Sequence, residues 1–162
     1  MSRRFARAGL ASDAVAIAGI YNEGIEDRIA TFETEPRSPE QIAAWFHHDY
    51  PVTVAGADGT VMAYAAAFPY RARPCYAGVR EFSVYVARQA RGQGFGFSAL
   101  SLLIEEARAR GWWKLVSRIF PENTGSRTLC SRLGFREVGT YERHAQLDGK
   151  WRDVVIVEKL LR

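Results

Sequence analysis

Arg91-Gly92-Gln93-Gly94-Phe95-Gly96 lies between an apolar, β-rich stretch, Phe82-Ser83-Val84-Tyr85-Val86, and a strongly helical one, Ala99 to Arg110. Three glycines spaced two apart at a strand-to-helix junction leave main-chain N–H groups bare and pointing one way. The start of a helix is its positive end, and Arg91 adds a fixed charge at the same place. The run predicts a grip for a phosphate or pyrophosphate, held by a strand–turn–helix unit at mid-chain.

Working outward, Leu100, Leu103, Ile104 and Ala107 fall at i, i+3, i+4 and i+7, so one helix face is buried. Gly111 is a C-terminal stop, and Trp113 to Ile119 reads as a strand. Upstream, Val52 to Gly56 and Val61 to Phe68 flank the hairpin signal Asp58-Gly59, and Val79 to Val86 forms a third strand. Ser38-Pro39-Glu40-Gln41 is a capping-box start for a helix through Ile42, Trp45 and Phe46. An earlier helix begins at Ser12-Asp13 and ends near Glu26. Downstream, Glu122-Asn123-Thr124 opens a helix ending at Leu133-Gly134. Two strands, Arg136 to about His144 and Trp151 to Leu160, join through Asp148-Gly149. The order is ααβββαβαββ, with room for a short first strand near Phe5. Hairpins together with one β-α-β unit predict an α/β (α+β) fold with a mixed sheet.

At 162 residues the chain is expected to form a single domain, 1–162. The net charge of +4, from 22 basic and 18 acidic residues, is mild and dispersed. That argues against a nucleic-acid arm and suits an anionic ligand. No apolar stretch reaches the ~20 residues of a membrane helix, and no signal core follows the start, so no membrane partner and a cytoplasmic location are expected. Cys75, Cys130 and three histidines give no disulfide framework and no metal pattern.

Phe95-Gly96-Phe97-Ser98 lacks the Gly-Lys-Ser/Thr of a P-loop, and no acid follows about twenty residues on as a dinucleotide fingerprint requires. A third pattern fits. Arg-x-x-Gly-x-Gly opening a helix, here Arg91, Gly94 and Gly96, resembles the acetyl-CoA signature of the GNAT N-acetyltransferases. Asn123-Thr124-Gly125-Ser126 with Leu133-Gly134-Phe135 resembles their second signature. Thr31-Phe32-Glu33-Thr34-Glu35-Pro36-Arg37-Ser38, Arg71-Ala72-Arg73, Glu81 to Val86 and Gly149 to Val154 narrow the likeness to the phosphinothricin acetyltransferase branch, with the arsinothricin subgroup as the nearer cousin. The match runs over nearly the whole chain.

The resemblance implies a central mixed, mostly antiparallel, twisted sheet, splayed at the cofactor site and flanked by about four helices. It implies acetyl-CoA as cosubstrate, no metal, and acetylation of the α-amino group of phosphinothricin, methionine sulfoximine or sulfone, or arsinothricin. Such an enzyme detoxifies glutamine-synthetase inhibitors, conferring antibiotic or herbicide resistance. The branch also implies a homodimer whose substrate pocket borrows residues across the interface.

Amide formation from a thioester needs a free amine, a polarised carbonyl and a tolerable leaving group. Main-chain N–H groups of Val84, Tyr85 and Val86 would polarise the carbonyl and pair with pantetheine. The turn Arg91, Gly92, Gln93, Gly94, Phe95, Gly96 would hold the diphosphate, with Asn123 and Ser126 on the pantetheine arm; Asn123 also reads as a plain N-cap. The branch match makes Glu81 the base, acting through water; an ion pair with a neighbouring arginine is the other reading. Alternation puts Glu81 and Val86 on opposite faces unless a bulge intervenes. Arg71 and Arg73 would share one side of an extended segment and suit oxyanions, although solvated loop arginines look the same in sequence. Phe32 matches a substrate-side aromatic, or packs the loop.

The pattern is departed from in places. Cys130 stands where many GNAT enzymes have an acid tyrosine and the branch often has histidine; a buried apolar use is the commoner one. Ala145 and Leu147 replace a usual glycine and lysine, which puts the amino-acid substrate in question. Two further functions stay open: acetylation of a polyamine or protein N-terminus, and non-catalytic acyl-CoA sensing.

Overall fold

The computed structural model describes residues 2–162. The chain runs β1 (Arg4–Ala8), α1 (Ala14–Asp27), α2 (Pro39–His47), β2 (Val52–Ala57), β3 (Thr60–Pro69), β4 (Val79–Val86), α3 (Phe95–Ala109), β5 (Lys114–Ile119), α4 (Thr124–Arg132), β6 (Arg136–Leu147) and β7 (Lys150–Leu160). The seven strands form one sheet in the order β1-β2-β3-β4-β5-β7-β6. Only β4 and β5 pair in parallel; the other neighbours are antiparallel. The α/β class, the mixed sheet and the four helices are as expected.

Local chemistry sets the boundaries. Ser38 and Gln41 close a reciprocal capping box, Gln41 N–H to Ser38 Oγ at 3.2 Å and Ser38 N–H to Gln41 Oε1 at 2.8 Å. Asp58-Gly59 and Asp148-Gly149 both take positive φ, which turns each hairpin in two residues. The first helix has Asp13 as its N-cap, in line with the start read at Ser12-Asp13. Its first helical residue is Ala14, and the Asp13 carboxylate looks backward and accepts from Leu10 N–H and Arg7 Nη1, each at 2.8 Å. That pair ties α1 to the edge strand β1.

Helix α3 starts at Phe95, four residues before the helical run read from Ala99. Gly96 is therefore in the first helical turn, not in the loop before it. The close approach explains a glycine there: a Cβ would lie 2.9 Å from Val86 Cγ2.

Two layers cover the sheet. On one face, Tyr85 of β4 pairs across the strands with Tyr64 of β3. Their rings stack at 5.5 Å, and Tyr21 of α1 stacks on Tyr85 at 5.1 Å. Trp45 of α2 packs at 6.0 Å from Tyr64. This aromatic column seats α1 and α2. The other face receives α3 through buried Ala99, Leu100, Leu103 and Ala107, with Thr53 Oγ1 donating to Ala99 O at 2.7 Å.

The register between β3 and β4 is unbroken from Ala63–Val86 to Pro69–Arg80. No bulge intervenes, so alternation puts Glu81, Ser83 and Tyr85 on the α1–α2 face and Val84 and Val86 on the α3 face. The pairing of β4 with β5 is short: Val79, Arg80 and Glu81 face Lys114, Leu115 and Val116, and there it stops. Beyond that point the two strands part, as the splayed sheet requires.

Candidate active site

The parting strands open a slot between two clefts. One cleft, about 470 Å³, is lined by Val84, Val86, Arg91, Gly92, Gly94 and Gly96 on one side and by Asn123, Ser126 and Leu129 of α4 on the other. The second, about 440 Å³, lies on the α1–α2 face and is lined by Phe32, Arg37, Glu81, Ser83, Arg118 and Phe120, among others. A small space of about 60 Å³ lies between them, sharing Ser83 and Ser117 with the second, Val84 and Asn123 with the first and Tyr85 with both.

In the first cleft the glycine turn has the expected form. Gly92 and Gly94 take φ of 77° and 87°, a region open to glycine at little cost. From Gly92 to Phe97 no main-chain N–H donates to another described residue; the first to do so is Ser98, to Gly94 O at 3.2 Å. The helix therefore presents unsatisfied N–H groups at its positive end. Arg91 is held by Asp27 at 2.8 Å and by Val86 O at 3.4 Å. Arg88 and then Arg91 keep the Asp27 carboxyl below its usual range. Arg91 is thus an oriented donor rather than a free charge.

Not every residue of the turn contributes a side chain. The Phe95 ring is buried beneath Arg4, whose guanidinium carbon lies 3.9 Å from the ring centroid, so only its N–H faces the cleft's helix end. Gln93 is absent from the cleft wall and donates to Gln89 O at 3.4 Å. On β4, Ala87 N–H donates to Met62 O of β3 at 2.7 Å. Counting back by alternation, the Val84 and Val86 N–H groups point toward the slot and that of Tyr85 toward β3. Tyr85 serves the slot through its ring. Asn123 has two uses: its Oδ1 caps α4 by accepting from Ser126 N–H at 3.2 Å, and its Nδ2 donates to Ile29 O at 3.2 Å.

In the second cleft Glu81 stands at the last position of β4 paired with β5 and makes an ion pair with Arg118 of β5, Oε1 to Nη2 at 2.9 Å. Phe32 packs edge-on against Phe120 at 4.8 Å and forms one wall. Leu147 is buried with Phe120 and Val154 and backs that wall. Arg71 and Arg73 lie elsewhere. The residues after β3 are exposed and turn into a short helical turn at Pro74–Tyr76 instead of running extended, and Arg71 stacks on Tyr70 at 4.2 Å. The cleft's own guanidinium groups are Arg37 and Arg118, which sequence reading missed. Neither has a local signal: Arg37 reads as part of a helix-entry loop and Arg118 as an outward strand residue. Arg132, over the Phe97 ring at 4.9 Å, also lines the first cleft and reads in sequence only as a helix-end cation.

Cys130 is buried, and burial, then Glu137, pushes its thiol up to about 12. Such a thiol is a poor proton donor to a departing thiolate. Cys130→Ala is expected to leave kcat within about twofold and to lower the melting temperature by a few degrees. Steady-state kinetics with a thermal melt checks both; a tenfold loss of kcat at unchanged fold would give the thiol a chemical role. Among the described residues no group of three or more His, Cys, Asp or Glu is placed to hold a metal, and no helix is long and apolar enough to cross a membrane.

Comparison with known proteins agrees with this geometry. The chain is 35% identical over 163 residues to the L-methionine sulfoximine/L-methionine sulfone acetyltransferase of Pseudomonas aeruginosa, covering 98% of this chain and 94% of that one. It is 33% identical over 162 residues to the phosphinothricin N-acetyltransferase of Streptomyces coelicolor, covering 96% and 95%. A GNAT superfamily phosphinothricin acetyltransferase from Sinorhizobium meliloti, solved in complex with acetyl-CoA, superposes with a TM-score of 0.89 at 30% identity, covering 97% of this chain and 88% of that one. The model of the acetyltransferase (GNAT) family matches residues 17–135, and the chain belongs to that family.

Proposed function

We propose that this protein is an acetyl-CoA-dependent N-acetyltransferase. Its acceptor is the α-amino group of a small amino acid with a second oxyanion, of the phosphinothricin, methionine sulfoximine or sulfone, or arsinothricin kind. The observation behind this reading is the slot: free main-chain donors on one side, a carboxylate on the other, and a small space between them that shares walls with both. The names of the Pseudomonas and Streptomyces relatives support the acceptor class.

The first cleft fits acetyl-CoA. The uncovered N–H groups of residues 92–97 suit a diphosphate, and the bare Gly96 keeps α3 close to Val86. Asn123 and Ser126 face the arm that joins the diphosphate to the thioester. When bound, acetyl-CoA supplies the acyl group as a thioester. The Val84 and Val86 N–H groups donate toward the slot and stabilise charge developing on a carbonyl oxygen there. Glu81 accepts a proton from the incoming ammonium, directly or through water, so that the amine attacks the carbonyl carbon. The C–N bond forms and the C–S bond breaks; the nitrogen, cationic after attack, releases its second proton to solvent, and the thiolate takes one up from solvent. Phe32 and Phe120 exclude water from the acceptor side.

Arg71 and Arg73 belong to the proposal as oxyanion ligands supplied from the exposed segment after β3. Their part goes with a homodimer, which belongs to the same proposal. Thiol release from acetyl-CoA, measured against L-phosphinothricin, L-methionine sulfoximine, arsinothricin, glutamate, spermidine and a peptide, tests the function. Turnover with the oxyanion-bearing amino acids is expected. Turnover only with spermidine or the peptide would overturn the acceptor class, and acetyl-CoA binding without turnover on any amine would overturn the enzymatic reading.

A further inference from the structure

The ion pair at the slot is itself a recognition device. Glu81 is the last residue of β4 paired with β5, opposite Val116. Arg118 comes two residues later on the same face, where the strands have begun to part. Its side chain crosses the gap to Glu81 at 2.9 Å, and both groups line the acceptor cleft. The contact uses one Glu81 oxygen and one Arg118 nitrogen, and the remaining N–H donors of Arg118 have no acceptor among the described residues. The side chains are 30% and 46% exposed, so an entering molecule can reach both. The other two charged residues of the cleft wall, Glu33 and Arg37, pair with each other at 3.8 Å.

An α-amino acid is a zwitterion with its charges on groups bonded to one carbon. A carboxylate and a guanidinium side by side are the matching dipole. The geometry points to Arg118 as the residue that reads the substrate's α-carboxylate, exchanging its contact with Glu81 for one with the incoming acid. Binding then does two things at once. It replaces one charge-assisted hydrogen bond by two, ammonium to Glu81 and carboxylate to Arg118. It also releases the Glu81 oxygen that Arg118 occupies, next to the proton it must accept. An amine without a carboxylate finds only the second Glu81 oxygen free and gains no contact with Arg118. This inference rests on the acetyltransferase reading and adds to it the residue that selects amino acids over simple amines.

The test compares L-methionine sulfone with its α-carboxamide in the full chain, for wild type, Arg118→Gln, Arg118→Lys and the double variant Arg71→Gln/Arg73→Gln. Wild type is expected to favour the acid in kcat/KM by about 50-fold, the size of a charged hydrogen bond. Arg118→Gln is expected to erase most of that preference, chiefly through KM for the acid, while turnover of the amide falls by less than about fivefold. Arg118→Lys should restore part of the preference, and melting temperature and acetyl-CoA affinity report on folding. An equal loss on acid and amide in Arg118→Gln would mean that Arg118 serves only to position Glu81. A preference that survives in Arg118→Gln but disappears in the double variant would transfer the role to Arg71 and Arg73. Either result overturns the assignment. Failure of wild type on both compounds would instead overturn the acceptor class, and this inference with it.

Discussion

Glu81→Gln is expected to lower kcat by roughly 10²–10⁴ while the affinity for acetyl-CoA is retained. The substitution keeps the volume and one oxygen, so the cleft wall and the contact to Arg118 have a neutral substitute. What it removes is the capacity to take a proton from the ammonium at the slot. Glu81 lies on the α1–α2 face, whereas Val84, Val86 and the glycine turn line the first cleft. The two effects are therefore separable: calorimetric titration with acetyl-CoA should give the wild-type dissociation constant, and single-turnover kinetics should show a slow chemical step. An unchanged chemical rate would remove Glu81 from the mechanism.

Gly94→Val is expected to weaken acetyl-CoA binding by about 100-fold or more. At φ 87° Gly94 is the N-cap of α3. A β-branched residue avoids that region, and relief of the strain turns the turn's N–H groups away from a common target. Gly59→Val provides the control. Gly59 also has positive φ, 79°, and a Cβ there would meet nothing within 4 Å, but it sits in the β2–β3 hairpin away from both clefts. That variant should lose stability and keep its affinity. Equal affinities for the two variants would show that the turn does not hold the ligand.

The elements that sequence reading placed well are those fixed by neighbours a few residues apart. The capping box at Ser38, the two Asp-Gly hairpins and the stop at Gly111 are closed by contacts within one turn. β1 was faint because a five-residue edge strand of alternating exposure has little apolar content to show. β6 extends to Leu147, beyond the expected end near His144, because register shifts interrupt the alternation that marks a strand. The site divides the same way. The glycine turn and the Asn123 cap are local and were legible. The aim of Glu81 depended on an unbroken register with β3, which no single stretch encodes. Arg118 reaches Glu81 across 37 positions of sequence. Arg71 and Arg73 share one side only if their segment runs extended, and Pro74 begins a turn right after them that no pattern in the stretch before it announces.

A slot with a cleft on either side changes what turnover requires. In the proposed reaction donor and acceptor occupy separate clefts that meet in the gap where β4 and β5 part, an arrangement suited to holding both at once for direct transfer of the acyl group. No side chain has to carry it in transit, which fits the buried, protonated Cys130. On that reading the acetylated product and the spent thiol each have a cleft of their own by which to leave.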